Sequence, residues 1–68
     1  MARENLREFR LRQKMSQGEI AEAIGYSRVM YSQVESGVRD GTLAFWGAVQ
    51  NRFNIPDRDM WKLTKEEK

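Results

Sequence analysis

SQGEIAEAIGYSRVMYSQVESG, residues 16–37, holds two short amphipathic patterns on either side of one glycine. Ser16-Gln17-Gly18-Glu19 has the Ser-x-x-Glu form of a capping box, in which the hydroxyl accepts from the amide three residues on and the carboxylate reaches back. This predicts a helix over 17–24 with Ile20, Ala21 and Ile24 on its buried stripe. Gly18 in the first turn costs up to ~1 kcal/mol relative to alanine, and nothing in the sequence asks for it. Gly25 stops the helix, because a left-handed position suits a residue without a Cβ. Ser27 is a good N-cap for a second helix over 28–36, with Tyr31 and Val34 inward, helped by Met30. Gly37 ends it by the same device. Two helices joined by so short a turn cross steeply and need a small residue where their backbones approach, which Ala21 supplies. The stretch therefore predicts a helix-turn-helix over about residues 17–36.

The flanks are helical as well. Residues 3–14 predict a first helix with Leu6 and Phe9 facing the core and Leu11 at its margin. Met15 plugs the break that follows. After the loop Val38-Arg39-Asp40-Gly41, Thr42 is the N-cap of a helix over 43–53, whose inner stripe is read as Leu43, Trp46, Val49, Gln50 and Phe53. Asn54 suits a left-handed end, and Pro56 lies just beyond it. A short fifth helix covers 58–63 with Met60 inward, and residues 64–68 are expected to fray. The expected architecture is all-α: one compact five-helix domain over residues 1–68.

Composition narrows the chemistry. The chain has 68 residues, 40% hydrophobic and 32% charged, an ordinary globular mixture. A chain this short buries only about 60% of its unfolded surface, so its core must be used efficiently. Cysteine and histidine are both absent, which removes disulfides, thiolate metal sites, the usual general base and the commonest metal ligand. No metal, cofactor or small-molecule ligand is expected, and catalysis is the least favoured reading. No apolar run approaches the ~20 residues of a membrane helix. The net charge of +2 comes from 12 basic and 10 acidic residues. The excess is spread along the chain, so a basic face has to arise from folding.

Opposite its buried side, the helix over 28–36 presents Arg28, Val29, Ser32 and Gln33. Arginine makes paired bonds to guanine and glutamine to adenine in the major groove, so such a face can read bases.

Taken together, Ser16-Gln17-x-x-Ile20-Ala21-x-x-Ile24-Gly25-x-Ser27-Arg28 and Val34-Glu35-Ser36-Gly37-x-Arg39 resemble the phage-repressor helix-turn-helix (Cro/cI-type, XRE-like). The resemblance runs from about Leu6 to Leu63, and it implies a lambda-repressor-like DNA-binding domain. The segment from Trp46 to Leu63 is similar to small regulators of prophages and mobile elements. The resemblance assigns base reading to Arg28, Val29 and Gln33, with Ser32 contacting base or backbone. It assigns phosphate contact to Ser16, Gln17, Ser27, Ser36 and Arg39, with Gln17 also bracing the first base-reading side chain. Val29 replaces the polar residue common at its position and would touch a thymine methyl. Asp40 and Gly41 stand where the family often has a basic residue and a proline, and Asp40 would weaken a phosphate contact there. Ala21 and Gly25 shape the turn. Arg10 and Glu35 match a pair that ties the first helix to the recognition helix.

Plainer roles exist for the same residues. Ser16 and Glu19 are explained by the capping box alone, and Arg28, Gln33, Arg10 and Glu35 could be ordinary solvated side chains. Phe45, Trp61 and Leu63 cannot all be buried in so small a chain, which makes them candidates for a self-association surface. The expected function is sequence-specific binding of double-stranded DNA as a homodimer, in the role of a transcriptional repressor. A bacterial, cytoplasmic, nucleoid-associated location follows from that expectation. The alternatives are the antitoxin of a toxin–antitoxin pair, and a helical protein-interaction module that has lost DNA binding.

Overall fold

Serine, threonine and glycine punctuate the chain where the sequence places them. The computed structural model describes residues 2–65 and holds α1 (Glu4–Arg12), α2 (Gln17–Ile24), α3 (Arg28–Ser36), α4 (Leu43–Phe53) and α5 (Asp57–Thr64). Each N-cap has a local cause. The Ser16 hydroxyl accepts from the Glu19 amide at 3.1 Å, and the Glu19 carboxylate accepts from the Ser16 amide at 2.8 Å. Ser27 and Thr42 accept from the amides of Met30 and Phe45, both at 3.1 Å. Asn54 ends α4 in the left-handed conformation. Gln50, on the inner side of α4, then closes the turn into α5 by donating to the Ile55 carbonyl and the Asp57 carboxylate.

The core is built from Leu6, Ile20, Ala21, Ile24, Tyr31, Val34, Phe45, Val49 and Leu63. α2 packs on α3 and α4, while α1 packs on α3 and α5. The small Ala21, 1% exposed, sits in that core on α2. Phe9 and Phe53 meet edge to face at 5.1 Å, which joins α1 to the end of α4.

Several expectations are corrected. α1 stops at Arg12 rather than Lys14, and Lys14 itself is left-handed with φ 58°. α5 gains a residue at each end. Thr64 belongs to it rather than to a frayed end, since its carbonyl accepts from Arg3 Nε at 3.0 Å and its hydroxyl donates to Trp61. Residues 66–68 of the expected tail lie outside the described residues.

The inner stripe of α4 is rotated from its expected position. Leu43 is 92% exposed and Phe45 is fully buried. A side chain leans toward the turn N-terminal to its own Cα, and Leu43, as the first helical residue, has no such turn to cover. Phe45 instead lies between Tyr26 at 5.2 Å, Tyr31 at 6.2 Å and Trp46 at 5.1 Å. Phe45 and Leu63 therefore belong to the core of the chain itself and leave the self-association surface. Trp61, 59% exposed, is the one of the three that stays outside.

Two glycines at left-handed positions differ in what surrounds them. Gly25 has φ 80° and an added Cβ would meet nothing within 4 Å. Gly41 has φ 82°, and a Cβ there would stand 3.0 Å from Trp46 Nε1. Gly25→Ala should cost about 1–2 kcal/mol, the backbone term alone. Gly41→Ala should cost more, because the Trp46 ring must also move. Urea unfolding of the two variants checks the order, and equal losses would show that the Trp46 contact is not limiting.

Candidate nucleic-acid interface

The outer arc of α3, the start of α2 and the loop after α3 form one candidate surface. What holds it rigid lies beneath it. Glu35, on the inner side of α3, is only 4% exposed. Arg10 Nε of α1 donates to its Oε1 at 2.9 Å, the Tyr31 hydroxyl donates to the same oxygen at 3.2 Å, and Gln17 Nε2 of α2 donates to Oε2 at 2.5 Å. Arg10 Nη1 also donates to the Met15 carbonyl at 2.9 Å. One carboxylate thus binds α1, α2 and α3, and its bonds are charge-assisted. The Arg10–Glu35 pair is buried, with side chains 11% and 6% exposed, and not a surface ion pair.

The network shifts its own titrations. Burial works against the Arg10 charge, but the bond to Glu35 and its charge prevail and raise the Arg10 pKa. Burial pushes the Tyr31 phenol well above its ordinary range, and the charge of Glu35 and the bond to it add to the rise. The folded state therefore keeps the phenolic proton longer than the unfolded chain does. The stability linked to it is complete below pH ~10, the ordinary tyrosine value, and is lost as pH rises beyond that. Melting temperatures measured from about pH 8 to 11 should fall at the alkaline end, and Tyr31→Phe should fall less over the same interval. An identical decline in both proteins would remove Tyr31 as its source.

Arg28 opens α3 and is exposed, as is Val29 at 63%. Ser32 and Gln33 are half-buried on the same helix. The stem of Arg28 lies over the first turn of α2, where a Cβ on Gly18 would stand 3.6 Å from Arg28 Cδ. That is ordinary contact, so Gly18 is not sterically required. Ser16 and Ser27 are exposed N-caps whose hydroxyl oxygens are engaged by their own helices. Ser36 donates to the Gln33 carbonyl at 3.1 Å, and Arg39 is exposed on the loop. Gln17 has a partner that the sequence does not reveal: its amide donates to the Glu35 carboxylate. Burial explains this, since Glu35 needs a donor on each oxygen.

Arg3 is the residue that the sequence does not reveal. It is 4% exposed. Its guanidinium donates to the carbonyls of Thr64 at 3.0 Å, Val34 at 2.6 Å, Arg39 at 3.0 Å and Asp40 at 3.3 Å. It also lies 5.6 Å from the Trp46 ring centroid. Asp40, whose side chain is 95% exposed, adds a contact at 3.8 Å. Arg3 so clamps the loop after α3 to both ends of the chain. Periodicity carries no sign of this, because the partners lie 31 to 61 residues away.

Among the described residues, no cluster of histidine, cysteine, aspartate and glutamate could hold a metal ion, and no helix is long and apolar enough to cross a membrane. A family model described as helix-turn-helix matches residues 6–59, from Leu6 in α1 to Asp59 in α5. Comparison with curated proteins and with solved structures gives no match.

Proposed function

This chain belongs to the helix-turn-helix family, whose XRE-type members are DNA-binding regulators, and we propose that it is a sequence-specific repressor of the phage-repressor type. α3 enters the major groove of double-stranded DNA. Arg28, Val29 and Gln33 meet base edges, and Ser32 lies at the border of base and backbone. The observation that carries this reading is the contrast between the two sides of α3. Its inner side is locked by Glu35 to α1 and α2, while Arg28 and Val29 at its entry are exposed. A helix that is to discriminate bases needs such a fixed base, since a misplaced side chain loses its paired bonds.

Phosphates flank this helix on both sides. Ser16 and the first amides of α2 meet one strand, because a helix N-terminus attracts anions. Ser27, Ser36 and Arg39 meet the backbone near the ends of α3. Gln17 acts chiefly through Glu35 and lends its second amide hydrogen to phosphate.

One recognition helix reads only a few base pairs, so specific affinity calls for two half-sites about 34 Å apart, one turn of B-DNA. The homodimer this implies is assigned to the exposed face of α5 around Trp61, which is 59% exposed.

Selection of bound sequences from a random duplex library tests the proposal. A pseudo-palindromic site should emerge, with binding that weakens steeply as salt rises. Arg28→Ala should cost about 1–3 kcal/mol on that site and relax preference at one base position. Uniform loss across a panel of single-base operator variants would make Arg28 a phosphate contact. Failure to bind any duplex at low salt would overturn the function as a whole.

A further inference from the structure

Gln33 and Arg39 stand against each other on the proposed reading surface. Arg39 Nε donates to Gln33 Oε1 at 3.0 Å. The amide can face it only one way, because a guanidinium has donors and no acceptor, so the atom it meets must be the oxygen.

The backbone holds the pair in place. The Arg39 amide donates to the Gln33 carbonyl at 3.1 Å, and Ser36 donates to the same carbonyl. The Arg39 carbonyl in turn accepts from Arg3 Nη1 at 3.0 Å. Gly37, with φ 87°, turns the chain back so that Arg39 returns to the helix it has just left. Arg39 is thus fixed on both sides by its main chain, and its side chain spans a short, defined distance to Gln33.

This changes what Gln33 offers a base. A free glutamine presents one acceptor and one donor, which match the N6 amino group and N7 of adenine. Here one lone pair of the oxygen is taken, and the guanidinium charge repels an incoming amino group from the other. The amide N–H groups remain as donors. Guanine and thymine carry keto acceptors in the major groove, O6 and O4, whereas cytosine carries an amino donor and adenine sets an N6 amino donor beside its N7 acceptor, a donor that a donor-only amide leaves unpaired.

Resting on the reading that α3 enters the major groove, we infer that Arg39 is a positioning residue for specificity. It makes Gln33 a donor-only reader that selects a keto base, guanine or thymine, over adenine or cytosine. Arg39 thereby has a second role beside its phosphate contact, and the two roles separate by experiment.

Bound sequences are selected from a random duplex library at one salt concentration with the wild type, Gln33→Ala and Arg39→Ala, after circular dichroism shows all three folded. The position at which Gln33→Ala loses preference is the one Gln33 reads. At that position the wild type should take guanine or thymine over adenine by about five- to a hundredfold. Arg39→Ala should lose that preference and take adenine, because the freed amide can both donate and accept. Three results would overturn the inference: adenine or cytosine in the wild-type site at that position, a keto preference that survives Arg39→Ala while affinity drops on all sequences alike, or no position that depends on Gln33. A wild type that binds no duplex at all sinks the function proposed above, and this inference with it.

Discussion

Arg3→Ala should lower the stability of this domain by about 3–4 kcal/mol, a melting temperature fall of roughly 12–30 °C. The guanidinium is buried and donates to four carbonyls drawn from α3, the loop after it and α5. Bonds from a charged donor are worth about 1.5–3 kcal/mol each, and alanine removes all four, although the Val34 carbonyl keeps the Gly37 amide as a donor. Water recovers part of the loss where the loop is exposed, which is why the sum is not simply four times the single value. The Asp40 contact contributes little, because its carboxylate is in solvent. Arg3→Lys should recover less than half of the loss. An ammonium keeps the charge but lacks the planar fork that reaches several carbonyls at once. A core of this size rarely supplies more than about 3–5 kcal/mol, so the alanine variant should stand close to half unfolded. Thermal and urea unfolding decide it. A loss below about 1 kcal/mol would show that the carbonyls find water as easily as they find Arg3.

Glu35→Ala should be as damaging for a different reason. It removes the one carboxylate on which Arg10, Gln17 and Tyr31 converge. The Arg10 guanidinium, largely buried beside the α1–α2 turn, then keeps the Met15 carbonyl as its one hydrogen-bond partner among the described residues. Breaking a buried pair by removing one member costs about 3–5 kcal/mol, because a charge is left uncompensated. The partner variant Arg10→Ala should cost less, since Glu35 keeps the donors Gln17 and Tyr31. The two losses should also fall short of additive in the double variant, by about 1 kcal/mol or more, since removing both groups leaves no stranded charge. Additive losses in a urea-unfolding cycle would mean that Arg10 and Glu35 act independently.

Much of this protein is legible from short stretches. The Ser16–Glu19 capping box, the Ser27 and Thr42 caps and the left-handed Gly25, Gly37 and Asn54 all lie where the sequence places them. Each depends on bonds between residues three to five apart, so no knowledge of the rest of the chain is needed. α2, α3 and α4 accordingly have the expected bounds, and the five-helix all-α architecture follows from them. The ends of α1 and α5 lack a side-chain cap bond, and those are the helices whose limits differ from expectation.

The assignment of side chains to core or surface was less local. Phe45 and Leu43 are both compatible with a helical stripe, and only the position of Tyr26 and Tyr31 against α4 makes Phe45 central and leaves Leu43 in solvent. Gln17 reads as a surface residue at the start of α2, and its bond to Glu35 shows only when the far end of α3 is brought beside it. Arg3 reads as the first residue of a helix until the carbonyls of Val34 and Thr64 surround it.

The starts and turns of α2, α3 and α4 are thus written in local stretches, because a cap or a left-handed glycine is satisfied within one turn of chain. Which charged and polar groups are buried, and what satisfies them, follows from the packing of the whole chain. A buried guanidinium or carboxylate is tolerated only where partners converge on it, and these partners come from four of the five helices and meet only when the chain has folded.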